Sequence, residues 1–133
     1  MKTPPNFLTV EQVCEIHERM IEEYGGEAQI RDLGLLESAV AMPAAQFGGQ
    51  FLHASLIDMA AAYLFHICKN HAFVDGNKRT ALAASGAFLL LNGYCLIPAP
   101  DGLEQLTLSV ADSTIGKPEL TKALRKFVKR DKR

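Results

Sequence analysis

The sequence lacks tryptophan and has few cysteines for its 133 residues. The three cysteines are Cys14, Cys68 and Cys95. They are odd in number and widely spaced, and they form neither a CxxC pair nor a cysteine–histidine pattern that binds zinc. A disulfide-stapled fold and a structural zinc site are therefore not indicated. We expect the cysteines to be buried, reduced thiols.

Histidines are also scarce, with four in the chain. His66 and His71 are five residues apart, whereas the offset that brings two imidazoles to one metal on a helix is four. His17 and His53 have no partner nearby in the sequence. We therefore assign His17, His53 and His66 to structural or surface roles, and consider His71 with the residues that follow it.

Long hydrophobic segments are missing as well. The longest nearly apolar run, Thr80–Leu91, is too short for the ~20 residues that cross a bilayer. Met1–Val13 has no apolar segment of the kind found in signal peptides. With 48% hydrophobic and 22% charged residues, the composition is that of a globular rather than a disordered chain. We expect a single cytoplasmic domain over residues 1–133, with no membrane partner.

A strong overall charge is absent, since the formal net charge is −1. The charge is nevertheless uneven, because Lys117–Arg133 holds eight basic residues against two acidic ones. Such a segment can be an interaction tail, or a solvated terminal helix whose cations suit its dipole. The apolar stripe of Leu120, Leu124, Phe127 and Val128 favours the helix. No motif indicates direct binding to nucleic acid.

The densest group of reactive side chains lies in one short stretch. It reads His71-Ala72-Phe73-Val74-Asp75-Gly76-Asn77-Lys78-Arg79. The segments on either side, Leu56–Cys68 and Ala81–Leu91, are almost entirely apolar, which is typical of buried helices. Two buried helices joined by a short polar loop place that loop at one end of a helical core. Water can be excluded there and side chains can be fixed.

The second half of this stretch has the chemistry of an anion site. Gly76 permits a positive φ and a close approach of the backbone to a ligand. Asn77 is expected to be the N-cap of the next helix. The first turn of that helix presents unpaired N–H groups and the positive end of its dipole, which favour a phosphate. Lys78 and Arg79 add full positive charges there.

The first half supplies a base and a metal ligand. Asp75 is a hard oxygen ligand of the type that Mg²⁺ takes alongside phosphates, and His71 is a natural general base for a hydroxyl. Ordinary explanations exist for single residues, since Asp-Gly-Asn is a common turn sequence and a lone histidine often ends a helix. Phe73 is expected to be a hydrophobic plug. The order of the whole set favours phosphate-ester chemistry on a nucleotide.

This order resembles the motif of the Fic/Doc family in its death-on-curing (Doc) toxin form. In the wider Fic pattern a proline follows the histidine and a second glycine follows Gly-Asn. This chain has Ala72 and Lys78 at those positions, and the second change is typical of the Doc branch. The segments that are also similar to Doc landmarks are Tyr24–Gly26, Ile30–Ala39, Phe47–Gly49 and Leu91–Tyr94. The resemblance extends to about Pro100.

The resemblance implies a role for each motif residue. His71 would be the catalytic base and Asp75 would hold Mg²⁺ on the phosphates of ATP. The residues that would bind the nucleotide phosphates are Gly76, Asn77, Lys78 and Arg79. In AMP-transferring Fic proteins a small residue at position 78 leaves room for a second phosphate subsite, which Lys78 fills. ATP is then expected to bind turned round, with its γ-phosphate beside His71, and the enzyme is expected to be a kinase.

The family also implies a target and a partner. The target would be a threonine of elongation factor Tu, whose phosphorylation arrests translation. The partner would be a small Phd-like antitoxin, whose disordered C-terminal segment folds into a helix on the toxin. The alternatives are an AMP-transferring Fic protein, a catalytically inactive module that only binds an antitoxin, and a metal-dependent nuclease. The lack of a second carboxylate near the motif argues against the nuclease.

Helical periodicity and end signals predict an all-α bundle of about six helices with few or no strands. Thr9 opens a capping box, and Gly25-Gly26 ends the helix that follows. Asp32 caps a second helix from about Leu33 to Met42, which Pro43 ends. The segment Gln46–Phe51, with its paired glycines, is either a mobile flap or hairpin or an inert loop.

Four more helices are expected after this segment. The long one spans about residues 54–69, and the motif helix runs from Asn77 to Asn92. The small residues in the motif helix should let its neighbours approach closely. Asp101 and Glu104 suit the N-cap and third position of a helix to about Ser113, and Pro118 suits the first position of the last helix.

Overall fold

The computed structural model describes residues 4–132 as a bundle of α-helices with two short pairs of strands. The six helices in this range are α1 (Val10–Tyr24), α2 (Leu33–Ala41), α3 (Leu56–Asn70), α4 (Asn77–Leu91), α5 (Pro100–Ala111) and α6 (Lys117–Leu124). The strands are β1 (Gln46–Phe47), β2 (Gln50–Phe51), β3 (Tyr94–Leu96) and β4 (Val128–Arg130). Short 3₁₀ turns lie at Met42–Ala44 and Arg125–Phe127. The expected bundle of about six helices is confirmed.

The ends of the first two helices follow from local sequence. Thr9 and Gln12 form the expected capping box, in which each side chain accepts a bond from the backbone N–H of the other residue. Gly25 ends α1 with a φ of 87°, which glycine adopts without strain. The Asp32 carboxylate caps α2 by accepting a bond from the Leu35 N–H. Both helices therefore lie within one residue of the predicted bounds.

The starts of the last two helices differ from the prediction. Ala99, not Asp101, is the N-cap of α5, so Asp101 lies inside the first turn, where its charge suits the helix dipole. Pro118 is the second rather than the first residue of α6. Gly116 takes the N-cap because its N–H donates to the Glu119 carboxylate at 3.0 Å, which moves the helix start back by one residue.

The centre of the bundle consists of α3 and α4, around which the other helices pack. The close approach predicted from small residues is present, since Ala60, Ala81 and Ala84 are fully buried. The Ser85 hydroxyl donates to the Ala60 carbonyl at 2.9 Å, so this polar group inside the core is paired. Because the motif loop joins α3 to α4, both of its ends are fixed by the buried centre.

The segment with the paired glycines forms a β-hairpin. Strands β1 and β2 pair antiparallel, and Gly48 and Gly49 between them both have positive φ, as a two-residue hairpin turn requires. The hairpin named in one of the two alternatives is therefore present, and its role as a mobile flap stays a prediction. Phe47 is 80% exposed near its tip.

The second strand pair was not predicted. β3, which follows α4, pairs antiparallel with β4 near the end of the described chain, with Cys95 opposite Lys129. The expected terminal helix is correct only as far as Leu124, since a 3₁₀ turn and β4 follow it. Of the predicted apolar stripe, Leu120 and Leu124 are fully buried. The basic segment is therefore part helix and part strand.

The cysteines are only partly as expected. Among the described residues all three are free thiols, and Cys68 is buried while Cys14 and Cys95 are half-buried. Burial raises the pKa of the Cys68 thiol, which keeps it protonated and unreactive at neutral pH. Over residues 4–132, no helix has the length and apolar character needed to cross a membrane.

Side-chain nitrogens of His53, His66 and Lys117 form a cluster that connects the segment after the hairpin to α3 and α6. Lys117 Nζ lies 3.1 Å from His53 Nε2 and 2.9 Å from His66 Nε2. An ammonium group only donates hydrogen bonds, so both Nε2 atoms must carry lone pairs and both rings must be neutral. Burial, with the positive charge of Lys117, lowers the pKa of His53 and brings that of His66 to about 4. These contacts give both histidines a structural role.

The cluster predicts a loss of stability in mild acid. Between about pH 6.5 and pH 4 His66 is neutral when folded and protonated when unfolded, so acid favours the unfolded chain. For one proton, the unfolding free energy can fall by at most about 1.4 kcal/mol per pH unit. At this half-buried site we expect roughly half of that slope. Urea unfolding at pH 7 and pH 5 measures the effect.

His66→Gln is the matched variant for this measurement, because the amide oxygen still accepts from Lys117 but does not titrate. The variant should lose less stability than the wild type between pH 7 and pH 5. Equal losses in the two proteins would contradict the proposed origin of the acid sensitivity.

Candidate active site

The motif loop reverses the chain between α3 and α4 within a few residues. His71 has the left-handed conformation, with a φ of 51°, and ends α3, while Gly76, with a φ of 81°, begins α4 as its N-cap. Asn77 is the first helical residue, so its predicted N-cap position is wrong. The reason lies in the side chain of Asn77, which has other partners.

Those partners are both backbone groups of Phe73. The Asn77 side chain accepts from the Phe73 N–H at 3.0 Å and donates to the Phe73 carbonyl at 2.9 Å. Asn77 is buried, and Phe73 is 1% exposed. The predicted hydrophobic plug is therefore confirmed, and Asn77 closes the loop from inside by pairing polar groups that water cannot reach.

The segment before α2 holds the other side of the loop. Arg31 Nε donates to the His71 carbonyl at 2.7 Å, and the backbone N–H groups of Arg31 and Asp32 donate to the Ala72 carbonyl at 2.7 and 3.0 Å. The Val74 N–H donates to the Gln29 carbonyl at 3.0 Å. The Arg31 side chain therefore fixes the backbone of His71.

His17 of α1 reaches the same loop from the core. The ring is 2% exposed and stacks on Phe73 with centroids 3.7 Å apart and planes 8° apart. Its Nε2 lies 2.8 Å from the Asp75 carbonyl oxygen. Sequence reasoning assigned His17 only a structural or surface role. Its spacing from buried Val13 would have placed it on the inner face of α1, where a polar ring needs a partner.

Asp75 is exposed and is held from the end of α1. Its Oδ2 accepts from the Glu27 N–H at 2.9 Å. A side chain at Gly26 would come within 3.1 Å of the Asp75 Cβ, so the glycine makes this close approach possible. The Glu27 N–H, a neutral donor, thus fixes the Asp75 carboxylate through one of its two oxygens.

The start of α4 has the backbone and side-chain groups that suit an anion. Gly76 has no side chain to cap the helix, so the first-turn N–H groups have no side-chain capping partner. Lys78 and Arg79 are exposed there, and the Arg79 guanidinium lies over the Tyr24 ring at 4.2 Å from its centroid. These features fit a bound phosphate, because backbone donors and two cations lie within one helical turn.

A groove of about 740 Å³ extends from this helix start to α5. The described residues that line it are Tyr24, Gly76, Asn77, Lys78, Arg79, Leu82, Pro98, Ala99, Asp101, Leu103, Glu104, Gln105, Thr107 and Leu108. The predicted phosphate-binding residues are therefore brought together. His71 and Asp75 do not line the groove, and both lie exposed on the adjoining loop. The His71 imidazole and the Asp75 carboxylate therefore lie beside the start of α4 rather than in the groove.

Comparison with known proteins shows which family the chain resembles in sequence. The sequence pattern of the Fic/DOC family matches residues 7–89. Toxin Doc of Mycolicibacterium smegmatis (strain ATCC 700084 / mc(2)155) is 53% identical over 73 residues, which are 55% of this chain and 56% of that protein. Protein kinase doc of Escherichia phage P1 is 29% identical over 120 residues, which are 90% of this chain and 94% of that protein. The first match thus spans little more than half of the relative's length.

The fold and the loop define a class of small helical domains in which a histidine-to-arginine loop joins two buried helices. Within that class the chain belongs to the Fic/DOC family, and it is similar to two relatives that are both named Doc.

The Asn77 bonds predict a large effect on stability from a residue beside the groove. Asn77→Ala leaves the buried N–H and carbonyl of Phe73 unpaired, which should cost about 2 to 4 kcal/mol of unfolding free energy. Urea denaturation measures this change.

Lys78→Ala is the control, since Lys78 is exposed and adjacent, and it should not lower the unfolding free energy, because removing a cation from the start of α4 relieves its opposition to the helix dipole. An Asn77→Ala protein as stable as the wild type would show that the loop does not depend on this side chain.

Proposed function

We propose that the protein is a Doc-type toxin that transfers the terminal phosphate of ATP to a hydroxyl of a translation factor, elongation factor Tu, and so arrests translation. The observation that carries the proposal is the start of α4, which has no side-chain cap and presents Lys78 and Arg79 next to the His71–Asp75 loop. Similarity to a phage protein named as a kinase supports it.

In this proposal the phosphates lie on the N–H groups at the start of α4. Lys78 and Arg79 offset the negative charge, and stacking on Tyr24 holds the Arg79 guanidinium at the edge of the groove. The apolar groove walls from Leu82, Leu103 and Leu108 suit the base of a nucleotide.

His71 acts as the general base. It removes the proton from the target hydroxyl while the hydroxyl oxygen bonds to the terminal phosphorus and the bond from that phosphorus to the ADP oxygen breaks. The left-handed backbone of His71 and the Arg31 bond to its carbonyl fix the position of the backbone from which the imidazole side chain extends. The ring is exposed and so is accessible to a protein substrate.

Asp75 is the residue that would hold Mg²⁺, which when bound neutralises phosphate charge. The donor set fits this role, because Asp75 is an exposed carboxylate beside the anion site and is oriented by a backbone N–H. Holding the carboxylate in place before binding reduces the entropy that is lost when the ligand arrives.

A separate small antitoxin of the Phd type is the proposed partner. Phe47 and Leu52, at 80% and 60% exposure, present apolar surface on and after the hairpin. A module that only binds an antitoxin remains the alternative outcome, and it would require no intact His71.

The first prediction of this proposal concerns growth. Expression without an antitoxin should arrest growth, and His71→Ala should abolish the arrest, because loss of a general base typically reduces the rate by ~10² to 10⁴. Growth curves after induction measure the effect. Val74→Ala, an exposed neighbour in the same loop, is the matched control and should remain toxic. Arrest by a folded His71→Ala protein would contradict the catalytic role.

The second prediction concerns Lys78 and the direction of the nucleotide. With purified elongation factor Tu, ATP labelled on the γ-phosphate should mark the target, and ATP labelled on the α-phosphate should not. Lys78→Gly should lose this phosphorylation, whereas Lys78→Arg, which keeps the charge, should retain more of it. Transfer of the α-label by the wild type would instead establish the AMP-transferring alternative.

A further inference from the structure

The peptide between Asp75 and Gly76 lies at the centre of the site, yet glycine does not fix its orientation. Flipping this peptide plane changes ψ of Asp75 and φ of Gly76. Glycine tolerates both signs of φ, so the loop sequence itself offers little resistance to a flip. Another part of the molecule must select the observed conformation, in which Gly76 has a φ of 81°.

We propose that His17 is a positioning residue that locks the Asp75–Gly76 peptide and thereby orients the Asp75 carboxylate and the Gly76 N–H. The lock itself is a property of the fold. Its effect on ligand binding rests on the proposed nucleotide site.

The hydrogen bond determines the state of the ring. A carbonyl oxygen only accepts, so the Nε2 of His17, 2.8 Å from the Asp75 oxygen, must carry the hydrogen. The ring cannot turn away easily, since it stacks on Phe73 at 3.7 Å. The donor is therefore held in place by packing that does not involve Asp75.

The bond also determines where the next N–H points. In a trans peptide the N–H is directed opposite to the carbonyl, and all peptide bonds described here are trans. With the Asp75 carbonyl directed at His17, the Gly76 N–H is directed away from α1. A flipped peptide would instead present a carbonyl on that side, which repels an anion.

The segment that follows α1 fixes the side chain of Asp75. Its carboxylate accepts from the Glu27 N–H at 2.9 Å, and its Cβ packs where Gly26 leaves space. Without the His17 bond, ψ of Asp75 and φ of Gly76 are less restrained, so Asp75 fluctuates more and its carboxylate contact with the Glu27 N–H opens more often. The backbone bond to His17 and the carboxylate bond to Glu27 are therefore coupled.

Two substitutions separate the donor from the packing. His17→Phe keeps an aromatic ring for stacking on Phe73 but cannot donate to Asp75. His17→Gln loses the ring but retains an N–H donor near the position of Nε2. Ile21→Val is the matched control, because Ile21 packs beside Gly26 and Gly76 without a hydrogen bond to the loop.

The first readout is independent of any nucleotide. In His17→Phe the Glu27 amide should exchange its hydrogen about tenfold faster relative to the Leu36 amide of α2, because its acceptor is no longer held. His17→Gln should restore most of the protection, and Ile21→Val should leave the ratio unchanged. Wild-type protection of Glu27 in a folded His17→Phe protein would overturn the lock.

The second readout is binding of ATP with and without Mg²⁺, measured by calorimetry. The gain in affinity that Mg²⁺ provides should fall about fivefold to tenfold in His17→Phe and recover in His17→Gln. An unchanged gain in His17→Phe, with Glu27 protection lost, would overturn the positioning role. If the wild type binds no ATP, the proposed function fails, and the exchange ratio still decides whether His17 locks the peptide.

Discussion

The structure depends on one constraint, the satisfaction of the backbone polar groups in a sharp loop between two buried helices. A loop at the end of a core cannot leave these groups unpaired without a cost of about 1 to 3 kcal/mol each. The loop has no helix or strand of its own that could provide partners for these groups. The groups that provide them are the Arg31 side chain, the Arg31 and Asp32 N–H groups, the Gln29 carbonyl, the Asn77 side chain and His17. Fixing the loop therefore requires α1, the segment before α2 and α4 at once.

The electrostatics at the start of α4 are unfavourable in the free protein. Cations near a helix N-terminus oppose its dipole, at a cost of roughly 0.3 to 1 kcal/mol each. Lys78 and Arg79 both lie there, without a side-chain cap to offset the positive potential. Stacking of Arg79 on Tyr24 compensates part of this cost. An anion bound there would relieve the remainder, so the free protein carries an electrostatic cost that a phosphate would remove.

Sequence reasoning succeeded where local rules decide the structure. The capping box at Thr9, the Asp32 cap and the glycine-paired hairpin all depend on residues within a few positions of one another. It failed where distant partners compete with those rules. Asn77 is a good N-cap by type, but the buried Phe73 backbone claims its side chain. The pairing of β4 with β3 across more than thirty residues left no short-range signal in so brief a strand.

The two walls of the groove come from different parts of the chain. The family pattern covers residues 7–89, which include the whole motif loop, His17 and the first turn of α4. The opposite wall of the groove, with Asp101, Glu104 and Leu108, belongs to α5 and lies outside that pattern. The predicted phosphate-binding residues thus lie within the family pattern. Under the proposed function, α5 contributes the wall against which the base and ribose lie, apart from the loop that performs the chemistry.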